Sequence, residues 1–237
     1  MRRVFYSIVA LVLMLVAMGC TTTPESKIIT IENGQFMRNG QPYYFVGTNF
    51  WYGAILGSEG EGGDRERLAK ELDFMKAHGI DNLRVLIGGE GENGLLGKIE
   101  PNLQPKPGEY NDEVLAGLDY LLMELGKRDM TAVLYFNNAW EWSGGYTQYV
   151  AWANNEPVLV PRVDGWFSYN TFAGEFVRNE RAKELYYNHI RYIVTRTNRY
   201  TGIKYIDDPA IFSWQISNEP RACSSKEHNN KEAFAEW

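Results

Sequence analysis

The sequence predicts an α/β fold: a parallel sheet with helices packed outside it. Three observations predict it. Short apolar strands and longer amphipathic helices follow one another four times along the chain. Polar and aromatic residues follow each strand on what would be a single edge of the sheet. The composition suits a packed core, with 44% hydrophobic and 23% charged residues. The 237 residues allow one large or two small domains. A formal charge of −6 is too mild for an acidic disordered chain, and nothing basic points to nucleic acid. Glycine (23) and proline (9) exclude collagen-like and low-complexity chains.

Residues 1–19 read as a bacterial export signal: Arg2-Arg3, then an apolar stretch from Val4 to Met18, then Gly19-Cys20. The ending Leu15-Val16-Ala17-Met18-Gly19-Cys20 resembles a lipobox, so cleavage before Cys20 and lipidation of its thiol are expected. That makes the product an exported, membrane-anchored lipoprotein, at the outer membrane or cell surface. Residues 20–27 are then a lipidated tether, and 28–237 the N-terminal part of a catalytic domain. With Cys20 acylated, Cys223 has no disulfide partner, and one cysteine builds no zinc site.

Residues 28–46 carry β-branched residues and two hairpin turns, Asn33-Gly34 and Asn39-Gly40, and predict a hairpin lid. Tyr43 to Phe50 reads as a buried strand. Asp64 to His78 reads as a helix, with Leu68, Leu72, Met75 and Phe74 at helical spacing and Gly79 as its stop. Asn82 to Ile87 is the second strand. Asp112 to Arg128 carries a leucine-rich helical stripe. Thr131 to Phe136, Arg181 to Tyr200 and Ala210 to Ile216 follow as strand, helix and strand, and Lys226 starts a last helix. Four strand-then-helix units fit either an open doubly wound sheet or a (β/α)8 barrel. No Gly-rich phosphate fingerprint follows the first strand, which favours the barrel.

In a barrel, functional residues sit at the C-terminal ends of the strands. There the sequence places Trp51, Arg84, the pair Trp140 and Trp142, and Asn218-Glu219-Pro220. Glu219 at a strand mouth suits a general acid, with the apolar strand behind it expected to raise its pKa. Asn218 is placed to hydrogen-bond a sugar hydroxyl, and Pro220 restrains the backbone. By itself the tripeptide is also compatible with a surface glutamate. Arg84, ending an apolar strand, calls for carboxylate partners. Tryptophans in polar strand-end loops suit sugar platforms.

At these residues the chain resembles glycoside hydrolase family 5, and within it the endo-β-1,4-mannanases. The matching stretches are Val46 to Trp51, Asn82 to Val85, Asn137 to Gly145 and Trp214 to Pro220, with a long insertion through Tyr149, Trp152, Pro161-Arg162 and Trp166. The resemblance implies a (β/α)8 TIM barrel of which this chain holds about the first four βα units. It implies a retaining double displacement on β-mannan or a related plant polysaccharide, without cofactor or metal. Glu219 would be the acid/base, Arg84 would support the nucleophile, Asn218 would contact the 2-hydroxyl, and Trp140 and Trp51 would line the cleft. The nucleophile glutamate has no counterpart here, so a fragment inactive by itself is expected. The alternatives are an endoglucanase or exo-mannosidase of the same family, or a non-catalytic glycan-binding lipoprotein.

Overall fold

The computed structural model describes residues 28–221 and 231–236. The export signal, Cys20, Cys223 and the expected helix start at Lys226 lie outside the described residues. The chain opens with a three-stranded antiparallel unit: β1 (Thr30–Glu32), β2 (Gln35–Arg38) and β3 (Gln41–Pro42). Both turns are of the kind the sequence predicts. Asn33 and Gly34 have φ 52° and 78°, and Asn39 and Gly40 have 52° and 70°. Two consecutive positive φ values suit Asn-Gly and match the twist of the strands they join.

A four-stranded sheet follows, in the order β4 (Gly47–Asn49), β5 (Asn82–Leu86), β6 (Thr131–Asn138), β7 (Ile211–Asn218), with every pairing parallel. Helices connect the strands: α1 (Gly53–Leu56) and α2 (Arg65–Ala77), then α3 (Asp112–Lys127). The β6–β7 connection holds α4 (Gly145–Asn154), α5 (Pro161–Asp164), α6 (Trp166–Gly174) and α7 (Glu180–Val194). A last helix, α8 (Lys231–Glu236), follows β7. Side-chain caps start the three longest helices where the sequence supplies them. Asp64 accepts from Arg67 N–H, Asn111 from Glu113 and Val114, and Asn179 from Ala182.

The core lies between sheet and helices. Leu68 and Leu72 of α2 and the leucine stripe of α3 pack on Leu83, Val85, Ala132 and Leu134. Burying such side chains stabilises by roughly 1.5–3 kcal/mol each. The hairpin unit closes the N-terminal end of the sheet. Phe36 meets Phe212 edge-on at 5.0 Å, Phe45 meets the same ring at 5.0 Å, and the Tyr43 hydroxyl lies 3.1 Å from Thr131 Oγ1. Among the described residues no helix is long and apolar enough to cross a membrane.

Two expected elements change. The strand read over Tyr43 to Phe50 shrinks to Gly47–Asn49, and Tyr44 and Val46 are exposed, at 76% and 61%. Among the described residues β4 pairs with β5 alone, and nothing there covers its other side. The helix read over Arg181 to Tyr200 ends at Val194. Beyond it Asn198 Oδ1 accepts from the N–H groups of Tyr200 and Thr201, and Arg196 turns back to a bidentate pair with buried Asp119. Local side-chain bonds of this kind offer the backbone an alternative to the helix.

Candidate active site

The four parallel strands bring their C-terminal ends to one edge, and the register sets what meets there. Asn49 pairs with Arg84 across β4–β5, and Asn138 with Asn218 across β6–β7. A cleft of about 320 Å³ opens at this edge. The five residues given a role in catalysis or sugar binding line it: Trp51, Arg84, Trp140, Asn218 and Glu219. Asn49, Tyr135 and Trp142 complete the lining.

Arg84 forms the floor. Its Nε donates to Gln215 Oε1 at 2.8 Å, its Nη2 to Asn218 Oδ1 at 2.9 Å, and its Nη1 to Asn49 Oδ1 at 3.3 Å. The guanidinium lies 4.1 Å from the centroid of the Tyr135 ring. The expected carboxylate partners are replaced by three carboxamides and an aromatic face. Neutral acceptors satisfy the guanidinium N–H groups without cancelling their charge, so the positive field remains in the cleft. Asn218 is held from both sides, since its Nδ2 donates to Asn138 Oδ1 at 2.9 Å.

Glu219 follows the last residue of β7 with φ 49°, the left-handed region. A non-glycine residue there is strained by about 1–3 kcal/mol, and such strain concentrates at functional sites. Its Oε2 accepts from the Trp140 indole Nε1 at 2.8 Å and from Arg221 Nη2 at 2.9 Å. The Arg221 guanidinium in turn lies 4.4 Å from the Trp140 ring centroid. The raised pKa expected for Glu219 is not found. The Trp140 hydrogen bond, then that of Arg221, hold the carboxyl below its usual value, with the charges of Arg221 and Arg84 acting the same way. The physical reason is exposure. The side chain is 54% exposed, so little desolvation opposes ionisation.

The tryptophans form a wall. Trp51 and Trp142 meet edge-on at 5.4 Å, and Trp140 and Trp166 at 5.8 Å. Trp166, from the long insertion, thus meets the Trp140 ring. Tyr149, read as part of the same insertion, is fully buried instead, packed at 5.2 Å on Tyr186. Tyr135, Gln215 and Arg221 were not anticipated. A signal for Gln215 was available, because Ser213, Gln215 and Ser217 alternate as polar residues along an otherwise apolar strand. Among the described residues no group of three or more His, Cys, Asp or Glu is placed to hold a metal ion.

The chain is similar to known proteins in sequence and in fold. Residues 26–237 match the model of the GH family 5 beta-mannosidase-like family. Mannan endo-1,4-beta-mannosidase 7 of Arabidopsis thaliana is 30% identical over 87% of this chain and 44% of its own length. Putative mannan endo-1,4-beta-mannosidase 9 of Oryza sativa subsp. japonica is 32% identical over 82% of this chain and 44% of its own. The chain therefore spans about half the length of the curated relatives it matches. The crystal structure of a glycoside hydrolase family 5 mannosidase from Rhizomucor miehei superposes with a TM-score of 0.77 at 38% identity, covering 83% of this chain and 49% of that one. A glutamate-to-alanine mutant of that mannosidase, in complex with mannosyl-fructose, superposes with a TM-score of 0.78. The four-stranded parallel sheet is half of the (β/α)8 barrel of these enzymes, and the chain belongs to glycoside hydrolase family 5, in its β-mannosidase-like branch.

Proposed function

We propose that this chain carries half of the active cleft of a retaining glycoside hydrolase that cleaves β-1,4-mannosidic bonds, with Glu219 as acid/base. The observation that carries the reading is the convergence of Glu219, Asn218, Arg84 and the tryptophan wall in one cleft at the strand C-termini. Trp140 holds one carboxyl oxygen of Glu219 by its indole N–H, which fixes the carboxyl plane beside the platform. The other oxygen is then the one to face a glycosidic oxygen. Asn218, tied to Arg84 and Asn138, presents a rigid amide to a neighbouring sugar hydroxyl. The nucleophile is a glutamate on the other half of the barrel. Brought to about 5–5.5 Å, its negative charge raises the Glu219 pKa toward the protonated form that a general acid needs.

The 38% identity to the Rhizomucor miehei mannosidase favours a second reading, release of mannose from chain ends rather than internal cleavage. Products separate the two: a ladder of oligosaccharides supports internal cleavage, mannose alone supports the other. Binding is tested on the chain itself by electrophoresis through a gel containing soluble mannan. The chain is retarded there and not by carboxymethyl cellulose, and Trp140→Ala loses the retardation. Equal mobility with and without mannan contradicts a mannan-binding cleft.

We also propose that the mature protein is exported and held to a bacterial membrane by a lipid on Cys20. Arg2-Arg3, the apolar stretch and Gly19-Cys20 support this. Incorporation of a labelled fatty acid that survives Cys20→Ser contradicts it.

A further inference from the structure

The loop that carries Trp140 is clamped by a second loop, the one that follows β5. Between β6 and α4 the chain runs through Ala139, Trp140, Glu141, Trp142, Ser143 and Gly144. Its first end is tied to β7, where Ala139 N–H donates to Asn218 O at 2.9 Å. The rest is held from the β5 side. Ile99 N–H donates to Trp142 O at 2.8 Å, and Glu90 N–H donates to Ser143 O at 2.9 Å. Glu90 Oε2 then accepts from Gly145 N–H at 3.0 Å. The contact is too close for any side chain at Gly144, where a Cβ would overlap the Glu90 carbonyl oxygen.

Gly145 is the first residue of α4, and the N-cap residue Gly144 has no side chain to offer. The first N–H groups of a helix have no partner within it, and a carboxylate or carboxyl oxygen is a strong substitute. Glu90 supplies that cap from another loop, 55 residues away in sequence. It is 1% exposed and does not line the cleft. Lys98, on the same loop, reaches Gln148 Oε1 of α4 at 3.1 Å, which strengthens the same junction. An apolar side chain would fill this volume without the desolvation of a carboxyl. The carboxyl is needed only if the α4 start, and the loop ahead of it, must sit in one place.

We propose that Glu90 is a positioning residue of the cleft: by capping α4 across the loop junction, it holds the Trp140 indole on Glu219. This rests on the reading of Glu219 as acid/base. Burial also pushes the Glu90 carboxyl up to about 8, against the hydrogen bond from Gly145 N–H and the charge of Lys98, which lower it. The neutral acid still accepts from Gly145, so Gln is the conservative replacement.

The test is nuclear magnetic resonance of the full chain with labelled tryptophan, following the Trp140 indole N–H, which is assigned by its loss in Trp140→Phe. No substrate is used. In the parent, Glu219→Gln shifts this signal, because it changes the acceptor of the indole hydrogen bond. In Glu90→Ala the signal no longer responds to Glu219→Gln, and in Glu90→Gln the response returns. Leu125→Ala, a fully buried core change in α3, lowers stability but keeps the response. A full response in Glu90→Ala overturns the proposal, and so does an equal loss in Leu125→Ala. Should Glu90→Ala not fold, Glu90→Asp, one methylene too short, replaces it, and a full response there overturns the proposal equally. Loss of all mannan binding with this pattern intact would sink the hydrolase reading and leave the clamp standing.

Discussion

Glu219 shows how a residue's chemistry is set by its neighbours rather than by its own motif. The motif places a carboxyl at a strand end, and that much was legible. Its charge state was not, because the indole that bonds it comes from Trp140, 79 residues earlier, and the exposure depends on the whole sheet edge. The same holds for Arg84, whose carboxamide partner Gln215 lies 131 residues on. His189 is a second case. It is 1% exposed, with its ring stacked at 5.7 Å on Tyr110, and burial lowers its pKa to about 3. Between about pH 3 and the unfolded value near 6.5, the unfolded chain binds a proton that the folded chain does not. Stability therefore falls as the pH drops below about 6.5, by up to ~1.4 kcal/mol per pH unit. His189→Leu removes this term. Urea midpoints measured from pH 7 to pH 4 fall less steeply in the variant, and identical slopes contradict a buried neutral imidazole.

At the scale of elements, α3 was the most legible and β4 the least. The α3 stripe Val114, Leu115, Leu118, Leu121, Leu122 and Leu125 is buried throughout, and a long periodic signal survives any tertiary context. β4 misled because apolar residues predict burial only if something covers them, and the sheet edge is a property of the whole fold. The approach of α1 to α3 was also hidden, since it depends on an absent side chain. A Cβ at Gly117 would overlap the Ala54 carbonyl oxygen and crowd Ser58 N at 2.6 Å, both backbone atoms that cannot turn aside. Gly117→Ala is predicted to destabilise by about 1–3 kcal/mol or more through overpacking. On the same helix Gly126 faces open space, and a Cβ there would meet nothing within 4 Å. Gly126→Ala is predicted to stabilise by up to ~1 kcal/mol from helix propensity alone. Denaturant midpoints of the two variants should move in opposite directions, and a shared direction would show that the helix contact does not decide.

Across the whole molecule the two ends of the sheet divide their work. At the N-terminal end, Phe36 of the hairpin unit and Tyr43 and Phe45 after it pack their rings on Phe212 of β7. The C-terminal end carries the cleft, as in other barrels of this kind. Among the described residues β4 and β7 each have one strand neighbour in the sheet, and Val46 and Ile216 beside or on them are exposed, at 61% and 56%. The alternation of strand and helix was enough to reach this architecture, because parallel pairing forces the crossover. The choice of barrel over open sheet came from the missing Gly-rich fingerprint, the residues at the strand ends and the family they resemble.

The most direct measurement is the rate of mannohexaose cleavage by a barrel made from this chain joined to the C-terminal half of the Rhizomucor miehei mannosidase barrel, with and without Glu219→Ala. Glu219 as acid/base predicts a loss of about 10²–10⁴-fold on mannohexaose in the variant. It predicts that a dinitrophenyl mannoside, whose leaving group needs no proton, still forms the covalent intermediate, with azide restoring its turnover. A Glu219→Ala barrel that cleaves mannohexaose at the parent rate would contradict the assignment of Glu219.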